Sequence, residues 1–199
     1  MKKVFIGGSR RISRLNKDIK SKLDQVIRKG YTVLIGDANG TDKAVQSYLA
    51  SKNYANVLVF CMADRCRNNI GDWRTRGIEV SHNNRDFYYY ATKDLEMEKE
   101  ADYGFMIWDA KSKGTLNNIV NLLKEGKKTL IYFSPEKSFY TLDTFVDLVE
   151  ILAKCDPKSV EELKEKLGLS QLLPLPDSLV ESTQLRLQLV AKDTEYHGH

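Results

Sequence analysis

Three short stretches of the chain carry residue types that could hold a phosphate-bearing ligand. The first is Gly7-Gly8-Ser9-Arg10-Arg11. Glycines let backbone N–H groups approach an anion, Ser9 offers a hydroxyl, and Arg10 or Arg11 offers charge. Helix N-termini beside such loops would add a favourable dipole. The second is "GDANGTDKA", residues 36–44. Asn39-Gly40 makes a turn, Thr41 can cap a helix, and Asp42 falls in its first turn, where an acid is expected for capping alone. A carboxylate set near ribose hydroxyls is the functional alternative for Asp42. The third is "WDAKSKGT", residues 108–115, in which Ser112, Gly114 and Thr115 lead into a helix and Asn118 follows one turn later. None matches G-x-x-x-x-G-K-[ST], and G-x-G-x-x-G is absent, which disfavours ordinary ATPase and NAD-dehydrogenase chemistry.

Carboxylates decide whether such a site could also react. Asp109 ends an apolar run at the same edge, Asp42 faces it from the neighbouring loop, and Glu98 lies in a preceding helix. A carboxylate pair across a cleft, Asp109 with Asp42, could support cleavage at an anomeric carbon. Asp109 has a competing reading as a loop-closing or helix-capping residue. Trp108 could stack on a base, or could simply end an apolar strand in the core.

The elements that would position these loops alternate between two hydrophobic periods over residues 1–133. Strand-like runs occupy 4–6, 32–35, 57–61, 104–108 and 129–133. Between them, apolar faces recur at helical spacing: Leu15, Ile19, Leu23 and Val26; Ala44, Val45, Tyr48 and Leu49; Phe87, Ala91 and Leu95; Leu116, Ile119, Val120 and Leu123. This predicts an α/β fold, a Rossmann-like doubly wound parallel sheet of about five strands, with all three loops at the carboxyl edge where ligands bind. Residues 62–85 lack a clear period; with Arg65, Arg67, Trp73, Arg74 and Arg76 they read as a lid over an anion or as disordered surface. The expected division is 1–135, the ligand-binding domain, and 136–199, a helical C-terminal extension. In that extension, 139–153 reads as one amphipathic helix, Ser159 and Glu162 as a capping box opening a helix that stops at Gly168, and 178–192 as a last helix.

Charge points to an anionic partner. Residues 1–80 hold 16 Lys+Arg against 7 Asp+Glu, a balance of +9, while residues 81–199 hold 15 against 20, a balance of −5. The bland alternative is solvated helix faces. Cys61, Cys66 and Cys155 are too few and scattered for a disulfide framework and read as buried or incidental thiols. No second Cys/His pair lies beside Cys61 and Cys66 to complete a zinc site, and the histidines are only His82, His197 and His199. No metal and no cofactor are therefore expected. No apolar stretch approaches a membrane span, and the start reads as a strand rather than a signal peptide, so a cytoplasmic protein is expected.

The order GGSR, then GDANGTD with Ala44, then a Gly-Thr loop before a helix resembles the SLOG superfamily, which includes the LOG phosphoribohydrolases and the DNA-processing protein A fold. Residues 101–133 also resemble nucleoside 2-deoxyribosyltransferases. Together these cover roughly residues 1–133. The resemblance implies a small nucleotide or phosphoribosyl ligand bordered by Gly7, Gly8, Ser9, Arg10, Gly36, Asp37, Gly40, Asp42, Ser112, Gly114 and Thr115, and a homodimer. One departure bears on chemistry: where related enzymes keep a glutamate after the glycine loop, this chain has Asn118, which can hydrogen-bond but cannot act as a carboxylate. Binding or sensing of a nucleotide is the leading expectation. An N-glycosidic hydrolase or transferase acting on nucleoside monophosphates is the alternative, and single-stranded nucleic-acid binding the second.

Overall fold

The structure is a computed structural model and describes residues 1–63, 65–79 and 87–169. The elements run β1 (Lys3–Gly8), α1 (Lys17–Arg28), β2 (Thr32–Gly36), α2 (Thr41–Ser51), β3 (Val57–Met62), β4 (Arg74–Ile78), α3 (Phe87–Glu100), β5 (Tyr103–Trp108), α4 (Lys113–Lys124), β6 (Thr129–Phe133), β7 (Ser138–Leu142), α5 (Phe145–Leu152) and α6 (Pro157–Leu167). The sheet order is β4-β3-β2-β1-β5-β6-β7. All neighbours are parallel except β6 and β7. This is the Rossmann-like α/β fold that the alternation of periods predicts. Chain direction across the sheet reverses between β1 and β5, so the crevice for a ligand opens beyond their carboxyl ends.

The central strands are continuous apolar runs because both faces are covered. Val4, Ile6, Val33, Ile35, Val59, Phe105 and Ile107 pack with Ile19, Leu23 and Val26 of α1 and Val45 and Leu49 of α2. The residues that alternate with them, among them Phe5, Leu34, Phe60, Met106 and Trp108, are also buried, as are Leu116, Ile119, Val120 and Leu123 of α4. Asn16 caps α1 by accepting from the Ile19 N–H at 2.9 Å.

Several expectations need correction. The sheet has seven strands rather than about five. β4 lies inside the 62–85 segment, where an edge strand that is mostly exposed and arginine-rich lacks the apolar alternation that marks a strand. Residues 139–153 are not one helix: β7 pairs antiparallel with β6, so the sheet runs past residue 135, and α5 starts after a capping box of Thr144 and Asp147. The α6 cap is Asp156, whose carboxylate accepts from the Ser159 N–H at 2.9 Å, with Pro157 in the first helical position. The face of α3 is turned from its expected direction: Leu95 is exposed, while Lys93, Met97 and Glu98 are buried.

Cys61 and Cys66 form a disulfide, their Cα atoms 5.0 Å apart. The chain folds back after β3, a return that spacing alone does not reveal. Cys155 is a free buried thiol, pushed up to about 11 by burial.

Contacts divide the chain into Met1–Leu163 and Lys164–His199. Of the second unit, the end of α6 and Leu169 are described; the helix stops at Gly168 in the left-handed region (φ 64°), with the Leu169 N–H donating to the Lys164 carbonyl. The helix expected over 178–192, and His82, His197 and His199, lie outside the described residues. No helix among the described residues is long and apolar enough to cross a membrane.

Candidate functional site

A cleft of about 490 Å³ opens beyond the carboxyl ends of β1 and β5. It is lined by the loop after β1, the start of α2, the loop entering α4, and one face of α3. Gly7, Gly8, Ser9, Arg10, Asp42, Asp109, Ser112, Gly114, Thr115 and Asn118 all line it. Gly36, Asp37, Gly40 and Trp108 do not.

The first loop is held by its neighbours rather than by a helix. α1 starts only at Lys17, because Asn16 caps it there, so no helix N-terminus stands at Gly7-Gly8. Gly8 is forced by packing: a Cβ there would overlap the Ile107 carbonyl and crowd Thr41. Ser9 is buried and internally committed. Its N–H donates to the Ile107 carbonyl at 3.0 Å, and its hydroxyl donates to Asp109 Oδ2 at 2.7 Å and accepts from the Arg11 N–H at 3.1 Å. Its carbonyl accepts from both the N–H (3.2 Å) and the hydroxyl (2.9 Å) of Thr41. The hydroxyl expected as a ligand donor thus braces the loops.

The second loop clamps the first. Gly40 has φ 83° and lies against the Arg10 backbone, where any Cβ would collide. Asp37 does not line the cleft and is held in a buried ion cluster. It accepts from the Arg67 N–H at 2.9 Å and from the Arg67 guanidinium at 3.0 and 2.6 Å, with Lys93 Nζ at 3.3 Å. Burial raises its pKa, but the Arg67 hydrogen bonds and the Lys93 charge overcome this and hold it at about 2. Asp42, also buried, accepts only from the Ala38 N–H at 3.2 Å among the described residues. Burial dominates there and raises its pKa to about 6, against the pull of Lys93.

In the third loop both Asp109 oxygens are in use. Oδ1 accepts from the N–H groups of Lys111 (3.1 Å) and Ser112 (2.8 Å), and Oδ2 takes the Ser9 hydroxyl. Asp109 therefore ties β1 to the entrance of α4 while still bordering the cleft. Ser112 caps α4 by accepting from the Thr115 N–H at 3.4 Å. Gly114, in the first turn, has nothing within 4 Å of where a Cβ would stand, so the backbone is open to the cleft. Trp108 is fully buried, its indole N–H donating to the Ser112 carbonyl at 3.2 Å and its ring against Phe133. The stacking expectation fails for it because the side chain points into the packed face of the sheet.

Sequence reasoning missed the α3 wall: Tyr90, Lys93, Asp94 and Met97. Asp94 carries a carboxylate beside Asn118, whose amide donates to it at 3.3 Å, and its other oxygen is 3.6 Å from Lys93 Nζ. The signal was the i, i+3, i+4, i+7 spacing of these residues, masked by the competing spacing of Phe87, Ala91 and Leu95. Arg67, named only as part of an arginine-rich segment, lines the cleft and lies 5.0 Å from the Tyr90 ring centroid; Arg10 lies 5.3 Å from the same centroid. A cation–π contact at an exposed site is worth about 0.5–1 kcal/mol, less than a charge-assisted hydrogen bond at about 1.5–3 kcal/mol. Arg67 is anchored by Asp37, whereas Arg10 has no carboxylate partner among the described residues.

No protein-family model matches this chain, and no curated protein matches it. A solved structure with a similar fold is DNA processing protein A from Helicobacter pylori, reported for its single-stranded DNA binding mode. The two share 17% identity at a TM-score of 0.50, and the match covers 65% of this chain and 64% of that chain. The likeness is one of fold: a Rossmann-like α/β sheet of the kind seen in DNA processing protein A.

Proposed function

We propose that the cleft binds a nucleotide or nucleotide-derived phosphoribosyl ligand, so that the protein acts by binding or sensing it. The observation that carries this is the meeting of the three strand-end loops around one cleft at the β1/β5 switch point. Open backbone at Gly114 in the first turn of α4 and the cations Arg10, Arg11 and Lys111 suit a phosphate. Asp94, Asn117 and Asn118 suit hydroxyls or a base edge. Asp109 is engaged by three protein donors, which favours binding over catalysis by that carboxylate.

Calorimetry against nucleoside mono- and diphosphates and ribose 5-phosphate tests the reading. Binding by the wild type is expected, with losses of roughly tenfold or more in Arg10→Ala and Gly114→Asp, each of which removes or repels an anion contact. Unchanged binding in both variants, or none by the wild type, would overturn it.

Single-stranded nucleic acid is the second reading. It is favoured by the fold neighbour, whose description concerns single-stranded DNA, and by Arg65 and Arg74 exposed near the β4 edge. Oligonucleotide binding that falls steeply between 50 and about 200 mM salt would support it, and no gel shift at low salt would remove it.

A further inference from the structure

The α3 wall names the kind of ligand the cleft selects, an inference that rests on the nucleotide reading above. Tyr90 lines the cleft, and its neighbour Tyr89 stands edge-on to it, with ring centroids 5.2 Å apart at 89°. Two guanidinium groups lie against the Tyr90 ring, and they are not equivalent. Arg67 is fixed by a two-toothed ion pair to buried Asp37, reinforced through its own backbone N–H. Arg10 sits on a loop whose backbone is clamped by Thr41 and Gly40, but its side chain forms no ion pair among the described residues.

An anion entering the cleft would compete with the Tyr90 ring for Arg10, because a charge-assisted contact with phosphate outweighs a cation–π contact. It cannot detach Arg67 in the same way. A Tyr90 ring relieved of the Arg10 guanidinium would offer its π surface to a planar ring.

We propose that Tyr90 is the base-stacking platform of this cleft, exposed when Arg10 transfers to the ligand's phosphate, so that the site selects ligands carrying both a phosphate and a flat heteroaromatic ring. Arg10 is the shared contact and Tyr90 the selective one. Nucleoside monophosphates thus bind more tightly than ribose 5-phosphate, and the difference resides in the tyrosine ring.

The test compares ribose 5-phosphate with the four ribonucleoside 5′-monophosphates by calorimetry on wild type, Tyr90→Ala, Tyr90→Phe and Arg10→Ala. Tyr90→Ala should weaken the tightest-binding nucleotide about tenfold and leave ribose 5-phosphate unchanged, the size expected for loss of one stacked base. Tyr90→Phe keeps the ring and should recover nucleotide affinity to within about twofold. Arg10→Ala should weaken both ligand types. Equal affinity of wild type for ribose 5-phosphate and nucleotides, or a Tyr90→Ala effect that is absent or the same for both, overturns the platform while leaving the nucleotide reading standing. Wild type that binds none of the five compounds overturns both.

Discussion

The two edges of the sheet treat their charges differently. At the amino edge, lysines near the strand starts face acids: Lys3 with Glu100 at 2.7 Å, Lys2 with Asp102 at 3.8 Å, and Lys128 with Asp143 at 3.2 Å. Arg76 of β4 also reaches Glu100. At the carboxyl edge Arg10, Arg11 and Lys111 border the cleft with no ion pair among the described residues, while Asp42 is buried and Asp109 ties two loops together. Pairs at the amino edge satisfy each other and need nothing further. Unmatched cations around a concave site raise the local concentration of an anion, which is how a binding edge differs from a structural one.

That contrast can be broken from several directions. The largest stability effect belongs to the loop clamp: Gly40→Ala forces a side chain into positive φ and into the Arg10 backbone, and should cost roughly 3 kcal/mol in chemical denaturation. A loss below about 1 kcal/mol would mean the two loops are not locked together.

Next comes the buried ion cluster. The folded Asp37 pKa of about 2 lies below its ordinary 3.8, so its contribution is complete above about pH 4 and lost as pH falls toward about 2. Asp37→Asn should destabilise the protein by about 2 kcal/mol at pH 7, with the gap to wild type closing over that acidic window. A constant gap in urea melts across those pH values would rule out an ionised Asp37 as the cause.

The amino edge has one acid that breaks its rule. Glu98 is buried, and neither carboxylate oxygen has a hydrogen-bond partner among the described residues. Burial, with Asp94 adding repulsion, pushes its pKa up to about 9. A raised folded pKa means stability that is present below about 4.5 and lost as pH rises through about 9. Glu98→Gln should therefore be close to neutral at pH 5 and stabilising by at least about 2 kcal/mol at pH 8.5. Equal thermal shifts at both pH values would show that charge is not the issue.

The smallest effect should come from the paired amino edge itself. Lys128→Gln removes an ion pair in which both side chains are more than half exposed, and should change stability by less than about 0.5 kcal/mol and nucleotide affinity not at all. A drop in affinity would erase the distinction between the edges.

The same distinction explains what could be read before the structure. Strong apolar runs such as residues 57–61 and helical spacings such as Leu116, Ile119, Val120 and Leu123 announced their elements, because both-face burial and one-face burial impose different periods. β4 and β7 escaped because they lie towards the two edges of the sheet, where exposed and half-exposed positions impose no strict apolar pattern. The spacing marks α3 as a helix but turns it the wrong way, since its inward face carries Lys93 and Glu98, which hydrophobic spacing counts as outward.

Sequence by itself determined the alternation of strands and helices and the glycines at strand ends, because each is a local property of spacing and residue type. Only the tertiary structure decided what the polar groups do. Ser9 and Asp109 bond each other across 100 residues, and Asp37 pairs with Arg67 and Lys93 without lining the cleft. Those partners come from different strand-end loops and from α3, and no periodicity along a chain records which side chains a sheet edge will bring within hydrogen-bond reach.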